Sequence, residues 1–424
     1  FLVKANVSNL WKAGGAGLTG SVESFTVIDD SYTVSASMHS VSPSSSRIVA
    51  GKRAVSGRAN GITRLDHEAA RKLSSSALPP RISRARSAGR SEASGTGPSY
   101  SFNQGDTKSF WVQDGAGSWL EVDAVLRSVG AHCYIWVPAA YYDASSAANN
   151  DNRITAAQAV ALRDKFEAMY PLVTHLFGYE NGGGLAAGAE NYGGVDGDPR
   201  VSVLVYDIGA DYTSVQDNGV LGFFWGKDYF AQSVIDGNPD VFGDGVKTNL
   251  SEIFYVDSHF TDCVPDFIYS TLIHEYQHMI NFARKNLPSE DNPDGLAVDV
   301  WFNEMLSMLS EDAIGPKIDI DSNIFPLNSR MPYYLGNYYS SGVTDWLGGD
   351  GVYASYASAY AFGAFLARNY GGATLVKSIL DCPYANREAV SYAVDGTTNS
   401  SGFNSVFRRY AEALVFSGQA VADN

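Results

Sequence analysis

The chain has 424 residues, 45% of them hydrophobic and 18% charged, with a formal net charge of −16 at pH 7. Its length amounts to more than one small domain at roughly 100–200 residues each. The composition excludes a largely disordered or coiled-coil protein. No apolar run reaches the ~18–20 residues that cross a bilayer, so no transmembrane segment is expected. The sequence starts at Phe1 without the basic and apolar pattern of a signal peptide, as a mature or trimmed product would.

Charge is placed unevenly. Residues 47–90 carry eleven Lys/Arg against Asp66 and Glu68, a net +9, whereas residues 91–424 carry −24. An acidic body repels nucleic-acid phosphate instead of releasing its counterions, which argues against nucleic acid as a partner. Three cysteines occur, Cys133, Cys263 and Cys382, with no CxxC pair, and Cys263 with Cys382 is the disulfide considered. Sparse cysteine and strong acidity fit a secreted or cell-surface bacterial protein.

Residues 1–60 alternate polar and apolar types in short runs such as Ser31-Tyr32-Thr33-Val34-Ser35-Ala36 and a short helix is expected over 66–73, which together predict a small β-rich module over residues 1–73, a propeptide or accessory unit. Residues 74–98, with Pro79-Pro80 and Arg81-Ile82-Ser83-Arg84-Ala85-Arg86, read as a flexible basic linker. Residues 99–260 form a strand-rich part. Strands are predicted at Ser109–Val112, Ala131–Pro138, Val201–Tyr206 and Leu250–Val256, with a helix over Thr155–Tyr170. Residues 261–424 are mainly helical, so strands precede helices and the class is α+β.

The chemistry concentrates in Thr271-Leu272-Ile273-His274-Glu275-Tyr276-Gln277-His278, which contains His-Glu-x-x-His. On a helix the two histidines share a face and can reach one metal, while Glu275 is turned toward a bound water. Helical context is present, since residues 267–283 contain no Gly or Pro and Pro265-Asp266 suits a helix start. A catalytic zinc needs a third protein ligand. Glu304, in Trp301-Phe302-Asn303-Glu304-Met305-Leu306-Ser307, lies on a second predicted helix beyond a polar turn and can face the pair; Glu290, Asp291 and Asp294 in the connection are competing donors. Glu311, two turns along from Glu304, can support a ligand histidine through a hydrogen bond. Two loops, Gly194–Asp198 and Asp236–Asp244, concentrate carboxylates with glycine as Ca2+ loops do, although ordinary acidic turns have the same composition. His39, His67, His132, His175 and His259 have no ligand-spaced partner.

The run His274-Glu275-Tyr276-Gln277-His278-Met279-Ile280-Asn281, followed by Trp301-Phe302-Asn303-Glu304, resembles the gluzincin metallopeptidases and closely resembles the hyicolysin family of bacterial neutral metallopeptidases. The resemblance covers about residues 105–420. It implies a strand-rich upper and a helical lower subdomain, one Zn2+ held by His274, His278 and Glu304, and Glu275 as general base. Ser358-Ala359-Tyr360-Ala361-Phe362-Gly363 resembles the Tyr-x-x-Gly helix of that group, which implies Tyr360 as the hydroxyl aimed at the oxyanion; a core tyrosine is the alternative, since Tyr353 and Tyr356 share the helical spacing.

The expected function is a zinc endopeptidase acting on proteins or peptides, with substrate lying extended along Leu250–Asp257. A related zinc aminopeptidase is the first alternative, faintly suggested by Gly188-Ala189-Glu190-Asn191. A non-catalytic surface adhesin or binding protein retaining the fold is the second. Sequence leaves the oligomeric state undetermined.

Overall fold

A computed structural model describes residues 102–145, 152–180, 195–214, 216, 219–287, 295–338, 340–348, 351–398 and 400–416. The expected N-terminal module and linker, residues 1–73 and 74–98, lie outside these residues, as do Gly188–Asn191 and the competing donors Glu290, Asp291 and Asp294.

A six-stranded mixed sheet runs in the order β1-β2-β3-β4-β6-β5. The strands are β1 (Thr107–Gln113), β2 (Trp119–Val129), β3 (Cys133–Pro138), β4 (Val201–Tyr206), β5 (Gly222–Phe224) and β6 (Ile253–Asp257). β1, β2 and β3 pair antiparallel, β3, β4 and β6 parallel, and β5 returns antiparallel on β6. All residues of β3, β4 and β6 are buried, as uninterrupted apolar runs in the middle of a covered sheet must be. β6 is therefore flanked on both sides. The expectation that substrate adds to Leu250–Asp257 fails, because the backbone groups of β6 already bond β4 and β5; the open edge is β5.

One face of the sheet is covered by α1 (Ala156–Phe177). Thr155 caps it by accepting from the Gln158 amide at 3.2 Å while Gln158 Oε1 accepts from the Thr155 amide at 2.7 Å. The apolar spacing of the sequence predicts a helix only as far as Tyr170, and Pro171 follows. The helix instead continues, since Thr174 Oγ1 bonds the Tyr170 carbonyl at 2.8 Å and Val173 and Phe177 are buried beyond the proline. That burial offsets the lost backbone bond.

After β6 the described elements are helical: α2 (Pro265–Asn281), α3 (Val300–Ile314), α4 (Pro326–Asn337), α5 (Val352–Asn369), α6 (Ala373–Asp381), α7 (Asn386–Asp395) and α8 (Ser400–Phe416), with shorter turns between. Together this is a mixed α+β fold. A single apolar cluster runs from Cys133 through Phe254, Leu272 and Phe302 to Tyr410, joining the sheet to the helices without a break.

Two buried titratable groups mark the junctions. Asp257, at the end of β6, accepts from the backbone of Ile208 and Phe260, and burial raises its carboxyl to about 8. Lys285, in the π-helical turn after α2 (Phe282–Asn286), donates to the carbonyls of Ile379, Cys382 and Tyr384, and burial lowers its ammonium to about 8. The Cys263–Cys382 disulfide does not form: Cys263 is exposed beside His259, and Cys382 is buried against Ile379.

Candidate metal centre

α2 and α3 run antiparallel, because their contacts nest in reverse order: Asn281 meets Asn303, Gln277 meets Ser307, and Ser270 and His274 meet Glu311. Both helices are apolar on most faces, and they bring their few polar side chains together along this seam. His274, His278 and Glu304 are all buried there. His274 Nε2 lies 3.1 Å from Glu304 Oε2 and His278 Nε2 3.6 Å from Glu304 Oε1. Donor atoms of the three residues fall within 4.8 Å of one another, the one such group among the described residues.

Hydrogen bonding fixes which nitrogens can bind a metal. His274 Nδ1 is 2.7 Å from Glu311 Oε1, and a carboxylate only accepts, so Nδ1 carries the proton and Nε2 keeps its lone pair. Glu311 is held in turn by Ser270, whose hydroxyl donates to Oε2 at 2.6 Å. His278 Nδ1 lies 2.9 Å from Ser307 Oγ, and that hydroxyl spends its proton on Gln277 Oε1. It therefore accepts from Nδ1–H, which again directs the Nε2 lone pair toward Glu304. Two aimed lone pairs and a carboxylate, in a pocket where Glu275, Glu304 and Glu311 are buried, form a donor set that fits a divalent cation.

Glu275 lies beside this group, 3% exposed, with Oε2 accepting from the Phe224 amide at 3.0 Å. β5 comes close enough to do this because residue 222 is glycine; a Cβ there would meet the Tyr255 carbonyl at 2.6 Å and Thr271 Cγ2 at 2.7 Å.

Tyr356 is the tyrosine that reaches Glu304, its hydroxyl 3.4 Å from Oε1. Burial and then Glu304 hold its phenol well above the ordinary range, so it stays a donor. Tyr360, one turn later, has Asp312 and Arg368 as its charged surroundings. The glycine three positions on serves packing instead: a Cβ at Gly363 would meet Met305 Cγ at 2.5 Å, so glycine lets α5 lie against α3.

Ser307, Tyr356 and β5 are the parts of the site that sequence reading missed. Ser307 had a usable signal, being three residues after Glu304 and so on its face. Among the described residues the acidic loops do not gather into a second centre: Asp196 accepts from Ser251 and Asp198 from Tyr134 and the Arg200 backbone. The remaining described histidines have local partners, His132 with Glu167, His175 with Lys377 and His259 with the Gln216 carbonyl.

A buried two-histidine, one-carboxylate group with a flanking glutamate, on two antiparallel helices beneath the edge of a sheet, is the kind of centre metallopeptidases are built around. The chain belongs to peptidase family M30, the hyicolysin family, whose model matches residues 125–422. It is also similar to the neutral metalloprotease ShpI of Staphylococcus hyicus, at 31% identity over 285 residues, which are 64% of this chain and 53% of that protein. The chain thus spans about half the length of the curated relative it matches.

Proposed function

We propose that this protein is a zinc-dependent endopeptidase, with His274, His278 and Glu304 as metal ligands and Glu275 as general base. The observation that carries the reading is the aiming of both Nε2 atoms at Glu304 by partners on their far nitrogens. Zinc bound there would supply Lewis acidity to the scissile carbonyl and to water. Glu275 accepts the proton of the attacking water and passes it to the leaving amine, and the Phe224 amide keeps that carboxylate pointed into the cleft. Glu311 and Ser307 hold the imidazoles in the tautomer that binds metal. Tyr356 donates to the oxygen on which negative charge develops as the carbonyl is attacked. The substrate chain lies along the outer edge of β5, where the Phe224 amide is already held by Glu275 and the other outward backbone groups can pair with any sequence.

Protein or peptide substrates follow from this reading. We further propose a secreted or surface-attached protein, which the acidic, cysteine-poor composition supports; among the described residues no helix is long and apolar enough to cross a membrane. Residues 1–73 and 74–98 are proposed as an accessory module and linker removable at Arg84, Arg86 or Arg90. Limited trypsin digestion should then leave a fragment starting near these arginines; earlier cutting within the body would overturn that division.

The deciding experiment combines metal analysis with hydrolysis of unfolded casein and of peptides blocked at both ends, with and without chelator. Chelator-sensitive cleavage of the blocked peptides supports an endopeptidase. Cleavage restricted to free amino termini selects the aminopeptidase, and zinc without hydrolysis selects a binding protein.

A further inference from the structure

Gln277 precedes His278, is 0% exposed, and reaches across the seam to Ser307 on α3. Its Oε1 accepts the Ser307 hydroxyl, and Ser307 Oγ lies 2.9 Å from His278 Nδ1. A hydroxyl has one proton, so the direction of the first bond dictates that of the second. With the amide oxygen toward Ser307, the proton points to Gln277 and Oγ accepts from His278 Nδ1–H. With the amide turned over, its N–H would donate to Oγ and the serine proton would point at His278 Nδ1. The imidazole would then carry its own proton on Nε2, the nitrogen 3.6 Å from Glu304 Oε1, and a protonated Nε2 cannot ligate a metal. His274 has no such choice, because its Nδ1 faces Glu311 Oε1, a carboxylate oxygen that only accepts. The two ligand imidazoles are thus held unequally, one by an anion and one by a neutral hydroxyl whose direction another group must set.

We propose that Gln277 is a positioning residue whose amide oxygen fixes the direction of the Ser307 hydroxyl and so keeps the proton of His278 off its metal-binding nitrogen. This role rests on the metal-centre reading of His274, His278 and Glu304, and adds to it a residue that acts through Ser307. Burial gives the arrangement its force. Gln277, Ser307 and His278 are all buried, so the hydroxyl has no bulk water to turn to and takes whichever acceptor its neighbours leave it. The amide nitrogen of Gln277 has no hydrogen-bond partner, so the bond that orients this side chain is the one made by its oxygen. A hydroxyl pointing the wrong way is then worse than none. In Gln277→Met the side-chain volume is kept and the acceptor is lost; His278 Nδ1 is the acceptor left on this line, and the serine proton turns to it. Removing the hydroxyl as well frees the imidazole to place its proton on either nitrogen.

The test uses the full chain, with zinc removed by chelator for a nitrogen-15 NMR arm on histidine-labelled protein and restored for an affinity arm. The ring-nitrogen shifts tell Nδ1–H from Nε2–H, and the signals of His278 are those lost in His278→Ala. In the zinc-free wild type His278 should carry its proton on Nδ1. Gln277→Met should move it to Nε2, leave His274 unchanged, and weaken zinc on the order of 10–100-fold in chelator competition. Adding Ser307→Ala to Gln277→Met should recover part of that affinity, which a side chain that merely fills space does not predict. Thermal unfolding checks each variant, and Gln277→Leu takes the place of Gln277→Met if the latter does not fold. A wild-type His278 protonated on Nε2 overturns the proposal without any variant, as does an unchanged His278 in Gln277→Met. A loss of affinity that Ser307→Ala deepens, or a shift of His274 along with His278, reduces Gln277 to packing and overturns it too. Zinc bound without hydrolysis removes the peptidase reading and leaves this role standing. A wild type that binds no zinc removes the metal-centre reading, and the His278 signal in Gln277→Met then still decides whether Gln277 sets the imidazole proton.

Discussion

Tyr356→Phe removes one oxygen from the wall of the metal centre and leaves the ring. The ring keeps its edge contact with Trp346, centroids 4.9 Å apart, and its place under Arg330. At 3.4 Å the hydroxyl's bond to Glu304 is long, so the resting protein should lose under about 1 kcal/mol, a Tm shift below ~4 °C. The transition state is different. If the phenol donates to the developing oxyanion, its loss should cost ~10²–10³ in kcat with KM and zinc content little changed. Tyr360→Phe is the matched control, because its charged neighbours are Asp312 and Arg368 and its loss should leave kcat within about twofold. Steady-state kinetics on one blocked peptide, with metal analysis and thermal unfolding of each variant, make the comparison. Equal kcat for Tyr356→Phe and wild type would refute the oxyanion role, and a larger loss for Tyr360→Phe would return the role to the residue suggested by motif.

Glu275→Gln should keep zinc and fold while losing nearly all turnover, since an amide cannot take the water's proton; retention of more than a few per cent of kcat sinks the general-base assignment. Glu311→Gln should weaken zinc affinity by ~10–100-fold in chelator competition, through the far nitrogen of His274, and unchanged affinity would mean that this bond does not tune the ligand. Gly363→Ala drives a methyl toward Met305 and should destabilise the α3–α5 contact by ~1–3 kcal/mol in urea unfolding; a neutral result would show that the helices slide apart freely. Asp257 binds its proton more tightly folded, at about 8, than at the ordinary 3.8, so its contribution is complete below the unfolded value and is lost as pH rises through about 8. The urea midpoint should therefore fall between pH 5 and 8, by no more than ~1.4 kcal/mol per pH unit from this group, and Asp257→Asn should flatten the slope. An equally steep slope in the variant would place the titration elsewhere.

How far the sequence could be read depended on whether the signal was local. His274, Glu275 and His278 announce themselves because one helical turn sets both their spacing and their shared face. Glu304 and Glu311 were reachable because a second helix across a short polar turn has few ways to pack. The long apolar runs of β3 and β4 were equally plain, being buried on both faces. β5 was not legible. Its three residues, Gly222-Phe223-Phe224, are too few to show a period, and its place at the sheet edge is decided by its return onto β6. Tyr356 and Tyr360 differ by one helical turn, and nothing in a tyrosine-rich helix tells which hydroxyl meets Glu304.

The lysine that closes the turn after α2 ties the helix of His274 and His278 to carbonyls 94 to 99 residues further along the chain. During synthesis, His274 and Glu304 have emerged long before Ile379, Cys382 and Tyr384 exist to receive that ammonium. The C-terminal end of the helix that bears both histidines can reach its final anchorage only late in translation. Firm placement of that helix is thereby deferred until most of the chain has been made.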